Sequence, residues 1–207
     1  MVYRTTPKMV QRKEAHRARL LQTAIRLFGT DGYHGTTVPD IVKASSSSTG
    51  AFYLYFRNKE DVFVAALEFI GEQLSAALNL AIAGAGANTF SQMRTAVETL
   101  IVYLAEHPHE SRVLIVESAG MTERVAKARR AIIASHCRSV ERALASVSDS
   151  LPKQDSHVVA SCWMGSVHEA VYQWLETPKR QRTDTQTLAR TVSSFNLRGI
   201  GAGHETS

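Results

Sequence analysis

The side chains best suited to doing chemistry in this chain fall between two short apolar runs near the N-terminus: Thr37, Lys43, Ser48, Thr49, Gly50, Ala51, Tyr53, Tyr55 and Lys59. They comprise three hydroxyls, one methyl, one bare backbone, two phenols and two cations. Such a set is suited to holding and reading a polyanion. Its use depends on the elements that carry it. Thr37 and Asp40 have capping-box spacing at the start of a short helix, with Pro39 in the first turn where its missing N–H costs little. Ile41, Val42 and Ala44 give that helix an apolar side. The periodicity stops in Ser45–Ser48, and Ser48 has the chemistry of an N-cap for a second short helix containing Phe52 and Phe56. Two short helices joined by a tight turn make a helix-turn-helix over about residues 37–56.

Flanking helices frame this pair. Before it, Leu21, Ala24, Ile25 and Phe28 share one face while Arg17, Arg19 and Arg26 lie off it. Gly29 and Gly32 are expected to end that helix, with Tyr33-His34-Gly35 as the link. After it, Asn58 caps a long helix carrying Phe63, Ala66, Leu67, Ile70, Leu74 and Leu78 at intervals of three and four. Lys59 is then a cation in the first turn, which opposes the helix dipole by ~0.3–1 kcal/mol at an exposed site. A phosphate beside it reverses the sign. Glu60 and Asp61 leave a second reading open, a merely solvated lysine.

These segments resemble the tetracycline-repressor (TetR) family of bacterial transcriptional regulators. The residues that carry the resemblance are Leu20–Phe28, Gly32–Val38, Ile41-Val42 and Gly50–Phe56 with Lys59-Glu60, a match over residues 14 to about 74 without a gap. The resemblance implies a three-helix DNA-binding domain in which Tyr53, Tyr55 and Lys59 anchor phosphates. It also implies a helical ligand-binding and dimerisation domain over residues 75–198. Family members are homodimers paired through the last two helices, here about 154–176 and 184–196, and many release DNA on binding a small effector. One departure stands out. Ser48–Leu54 contains no Arg, Lys, Asn or Gln, so bidentate contacts to guanine or adenine are unavailable from this helix. Readout falls to the Ser48 and Thr49 hydroxyls, the Ala51 methyl and close approach at Gly50. Ser46 and Ser47 stand where related sequences often carry a glycine and an apolar residue, and Leu54 where a histidine is common.

Charge follows the same division. Residues 1–60 hold ten of the 24 Lys and Arg but four of the 19 Asp and Glu, so the net +5 originates in this third of the chain. That asymmetry favours one DNA-facing module over a generic polyanion binder. Arg4, Lys8, Arg12 and Lys13 read as a basic arm over residues 1–13, and residues 199–207 as a disordered tail.

After this unit the 207-residue chain has room for about five further helices, giving an all-α protein of about nine. The segment 154–176 is apolar around its circumference, with Ser161, Gly165 and Ser166 permitting close approach of another helix. A helix buried on two sides in so small a domain points to a partner subunit. Two-fold symmetry then predicts a palindromic operator, with heads one turn of DNA apart. Tyr103, His107, Glu117, Met121, His136, Trp163 and His168 lie on or near apolar faces and suit an apolar cavity with a few polar anchors. Met, Ala and Val around them favour a lipophilic ligand such as an acyl thioester, a drug or an aromatic compound. An inward His or Trp is ordinarily core packing, and the cavity has no signature in the sequence.

No phosphate-binding glycine loop, nucleophile elbow or carboxylate pair is present, so the reading is not an enzyme and needs no cofactor. His107 and His109 lack a third ligand at definite spacing, so no metal site is assigned. Cys137 and Cys162 are isolated, as suits a reducing cytoplasm. The expectation is a cytoplasmic homodimeric repressor of double-stranded DNA, released by a small effector, with no membrane contact. Two alternatives are a helical ligand-binding protein that has lost operator specificity and a thiol redox switch.

Overall fold

The computed structural model describes residues 7–202. Among them are nine α-helices: α1 (Pro7–Gly35), α2 (Val38–Ala44), α3 (Thr49–Tyr53), α4 (Lys59–Gly84), α5 (Thr89–Glu106), α6 (Pro108–Ser111), α7 (Glu123–Ser146), α8 (Ser156–Glu176) and α9 (Thr185–Gly199). No strand occurs among the described residues. The all-α expectation is met.

Most helix starts are set by a side chain that satisfies a free N–H of the first turn. Thr37 and Asp40 form the capping box of α2. Ser48, Asn58, Asn88, Thr122, Asp155 and Asp184 cap α3, α4, α5, α7, α8 and α9. α6 runs directly into a π-helical turn, Arg112–Glu117, which buries Val113, Leu114 and Ile115.

Two expectations about the ends change. α1 begins at Pro7, so Lys8, Arg12 and Lys13 stand on an exposed helix continuous with the first core helix and do not form an extended arm. No Pro or Gly lies in residues 8–20 to break the helix. Arg4 lies outside the described residues. At the other end residues 199–202 are ordered, because Ile200 is buried and the Ala202 N–H donates to the Leu197 carbonyl; the tail from 203 onward lies outside the described residues.

α1 to α3 pack around Leu20, Ile25, Phe28, Ile41 and Phe52, all fully buried, against Phe63 and Leu67 of α4. Phe63 meets Phe28 and Tyr33 edge to face at 5.0 Å, while Phe28 and Tyr33 lie tilted to each other at 5.7 Å. α4 leaves this head and enters the body, where α5 packs on α9 and α7 on α8. Gly32 carries φ 78° and ψ 166°, a conformation that breaks α1 where the chain turns toward α2. Gly29 does not end the helix; it lies inside α1, where the His109 backbone comes too near for any side chain.

Candidate nucleic-acid interface and ligand cavity

The turn between α2 and α3 is closed by backbone bonds from Ser46 N to Lys43 O (3.1 Å) and from Ser47 N to Val42 O (3.0 Å), the pattern of a Schellman C-cap. That geometry demands a left-handed residue, and Ser46 takes it at φ 51°. His16 of α1 fastens the turn through a 2.8 Å bond to the Ser47 hydroxyl and meets the Tyr55 ring edge-on at 5.7 Å. Sequence reasoning passed over His16, because its partners lie far along the chain.

Phe52 and Phe56 are buried beneath α3, as expected of ring anchors. The opposite face is free. Lys43, Ser48, Thr49 and Gly50 are exposed, Ala51 is half-buried, and Tyr53 and Leu54 are 54% and 79% exposed. Ser48 spends its hydroxyl oxygen accepting from Ala51 N at 3.1 Å, while its O–H remains free to donate. Thr37 is exposed, but its hydroxyl donates to Asp40 at 2.5 Å, so it serves α2 first. Thr37, Lys43, Ser48, Thr49, Gly50, Ala51 and Tyr53 therefore fall on or beside the turn and α3, with Tyr55 half-buried at its edge.

Lys59 is placed differently from a free phosphate anchor. Its Nζ donates to the carbonyls of Tyr33 (2.8 Å) and Thr36 (2.9 Å) and sits 4.1 Å from the centroid of the Tyr33 ring. The cation thus caps the carbonyl end of the α1–α2 link and gains from the aromatic face. Burial lowers the pKa of the amine and raises that of the Tyr33 phenol, which Glu60 raises further. One of the three ammonium donors remains for an outside acceptor.

The first turn of α4 joins head to body. Asp61 accepts from Arg57 Nε at 2.8 Å and pairs with Arg124 of α7, while Thr122 donates to Glu60. These donors, Arg57 first, hold the Asp61 carboxyl well below the usual carboxylate range. Glu117, at the end of the π-helical turn, accepts from the Tyr33 backbone N–H at 2.8 Å.

The body holds an apolar cavity of about 250 Å³ between α4, α5, α7, α8 and the π-helical turn. Leu74, Leu100, Leu104, Leu114, Ile115 and Ile132 line it, and its polar groups include Arg129, His136 and His168. A second cavity of about 230 Å³ shares Leu100, His136 and Met164 with the first and extends toward Asn79, Arg142 and Trp163. Of the seven residues expected at a ligand site, His136, His168 and Trp163 are brought together here. The others are not. Tyr103 and His107 stack on each other at 4.0 Å away from the cavity, Glu117 serves the head–body joint, and Met121 packs half-buried against the core. Arg129 was missed, since an arginine on a helix of mixed charge reads as solvated. Burial lowers the pKa of His136; burial, and then the Arg129 charge, lower that of His168.

A head with buried rings and an outward second helix is thus set on a helical body that holds an apolar cavity. Residues 20–66 match the family of bacterial regulatory proteins of the tetR type. A helix-turn-helix-type transcriptional regulator of Bacillus subtilis, YdgC, is 26% identical over 89% of this chain and 92% of its own length. Another, YerO from the same organism, is 38% identical over 63 residues, which cover 30% of this chain and 22% of YerO. With YerO, then, the likeness is confined to about a fifth of the relative. Among solved structures, FadR of Bacillus subtilis in complex with stearoyl-CoA superposes with a TM-score of 0.77 at 19% identity, covering 90% of this chain and 99% of that one. FadR of Bacillus halodurans gives 0.76 at 20% identity, covering 88% and 98%. These structures share the fold. Among the described residues no helix is long and apolar enough to cross a membrane.

Proposed function

We propose that the protein is a cytoplasmic transcriptional repressor, working as a homodimer on a palindromic operator and released by a small lipophilic effector. Residues 14–74 form the DNA-binding domain and 75–198 the ligand-binding and dimerisation domain. The observation that carries the reading is the two-faced α3: Phe52 and Phe56 fix it from beneath while Thr49, Gly50 and Tyr53 face outward from a basic head. Tyr53, Tyr55 and the spare donor of Lys59 hold phosphates; Thr49, Ser48, Ala51 and Gly50 meet base edges, with Lys43 and Thr37 beside them. The cavity between α4, α5, α7 and α8 receives the effector, and Asp61–Arg124 and Glu117–Tyr33 connect its walls to the head.

Selection of bound duplexes from a random pool tests this directly. An enriched palindrome with half-sites about one turn apart, roughly 34 Å, is expected. Tyr53→Ala should then weaken every selected site by ~1 kcal/mol, whereas Thr49→Ala should shift the preferred bases. Unchanged affinity in Tyr53→Ala would refute the placement of α3 on DNA. A second reading is favoured by the lack of any Arg, Lys, Asn or Gln in Ser48–Leu54: a ligand-binding protein with weak operator specificity. It predicts salt-sensitive binding without an enriched sequence. At Cys137 a thiol switch fits less well, because burial, and then Glu141, raise its pKa.

A further inference from the structure

We propose that the cavity takes an amphiphile with one carboxylate head, and that Arg129 is the residue that binds this head. The inference rests on the effector-binding reading of the cavity and specifies its chemistry. Among the described residues only two buried side-chain polar atoms lack a hydrogen-bond partner, Arg129 Nε and His136 Nε2. Both residues line this one cavity.

A guanidinium does not deprotonate, so a half-buried Arg129 brings a fixed positive charge to an apolar wall. Its contact with His168 does not neutralise that charge. Arg129 Nη2 lies 2.8 Å from His168 Nε2, and because arginine only donates, the imidazole there is the acceptor and is neutral. No carboxylate of the described residues forms an ion pair with Arg129. The acidic side chains of α7 and α8 are engaged elsewhere: Glu123 with Arg130, Glu141 with His157, Glu169 with Gln173 and Glu176 with Arg112. A desolvated charge is tolerated when a counter-charge completes it, and here the counter-charge has to arrive with the ligand. The planar guanidinium, with Nε unpartnered, offers the donor geometry a carboxylate accepts.

The rest of the ligand follows from the wall. Arg129, Ile132, Ile133 and His136 share one face of α7, and seven residues of helix place His136 about 10 Å along the axis from Arg129. Leu74, Leu100, Leu104, Leu114 and Ile115 close the space between them. The ligand is therefore elongated, with an anionic head at Arg129 and an apolar body directed toward His136 and the second cavity.

Titration calorimetry on the intact protein with decanoate, methyl decanoate and decanol tests this, the ester having a head as uncharged as a thioester. Decanoate should bind at least tenfold more tightly than either neutral analogue. Arg129→Met should remove that preference, decanoate binding the variant no more tightly than the ester does. Equal affinity for decanoate and its ester in the unaltered protein would overturn the proposal while leaving an apolar effector cavity standing. Binding of none of the three probes, by a protein that still binds DNA, would overturn both the proposal and the cavity reading. The acid–ester comparison needs no variant, so the test survives a substitution that fails to fold.

Discussion

Ser46 shows what one backbone angle costs. Its φ of 51° is forced by the Schellman turn between α2 and α3, and a residue with a Cβ occupies that region at a penalty a glycine avoids. Ser46→Gly should stabilise the protein by about 0.5–1 kcal/mol, the strain relieved being partly offset by a more flexible unfolded chain. A rise of the denaturant midpoint at constant slope is the expected result; a fall would mean that the serine side chain contributes more than its strain costs. The two cavity histidines make a pH-dependent prediction. Both are held below the ordinary imidazole value, His136 by burial and His168 by burial and then by Arg129, with Glu169 acting the other way. The unfolded chain takes up protons near pH 6.5 while the folded chain resists. Unfolding is then coupled to proton uptake, so stability is full above about pH 6.5 and is lost as the pH falls toward the lowered folded values. Thermal melting should drop between pH 7.5 and 5.5, and His136→Gln with His168→Gln should narrow the drop. An equal drop in the double variant would assign the effect to other groups.

At the scale of elements, the contact of α1 with α6 is the tightest joint between head and body. A Cβ on Gly29 would stand 2.5 Å from His109 Cα and 2.7 Å from His109 O, and backbone cannot move aside as a side-chain tip can. Gly29→Ala should therefore destabilise by about 1–2 kcal/mol: overpacking costs up to ~3, and the better helix propensity of alanine returns up to ~1. Gly84→Ala is the matched control, because nothing lies within 4 Å of its added methyl. Equal melting temperatures for the two variants would show that α6 retreats without cost. The same joint shows how far the sequence could be read. The starts of α2, α3 and α4 were legible because Thr37, Ser48 and Asn58 each act within three residues of themselves. Gly29 against His109, and Lys59 beneath Tyr33, were not, since those partners are set by packing between distant segments. For the cavity, His136, His168 and Trp163 could be nominated by helical spacing, but Tyr103 and His107 met the same criterion and stack on each other instead.

At the scale of the molecule, the homodimer proposed above would pair through the outer faces of α8 and α9. On α8 Val158, Cys162 and Gly165 are exposed in one stripe, and on α9 Phe195 is 61% exposed. Small residues in the stripe admit a close helix, and an exposed ring with an exposed valine is the kind of surface that pairing would cover. The first cavity reaches the surface beside this stripe, where Ser161 and Gly165 both line it and are exposed, so a partner helix there would also close its mouth. Pairing matters to DNA binding because joining two heads multiplies the affinity of each by roughly 10²–10⁴ when both half-sites are engaged. Phe195→Glu together with Val158→Glu places charges where two copies would meet, on residues remote from the head core. Sedimentation should show a monomer at micromolar concentration, and affinity for a two-half-site duplex should fall by about 10²-fold or more toward that for a single half-site. A variant that still sediments as a dimer would move the interface to another face of the body, whereas a true monomer that keeps full affinity for the palindrome would separate pairing from DNA binding altogether.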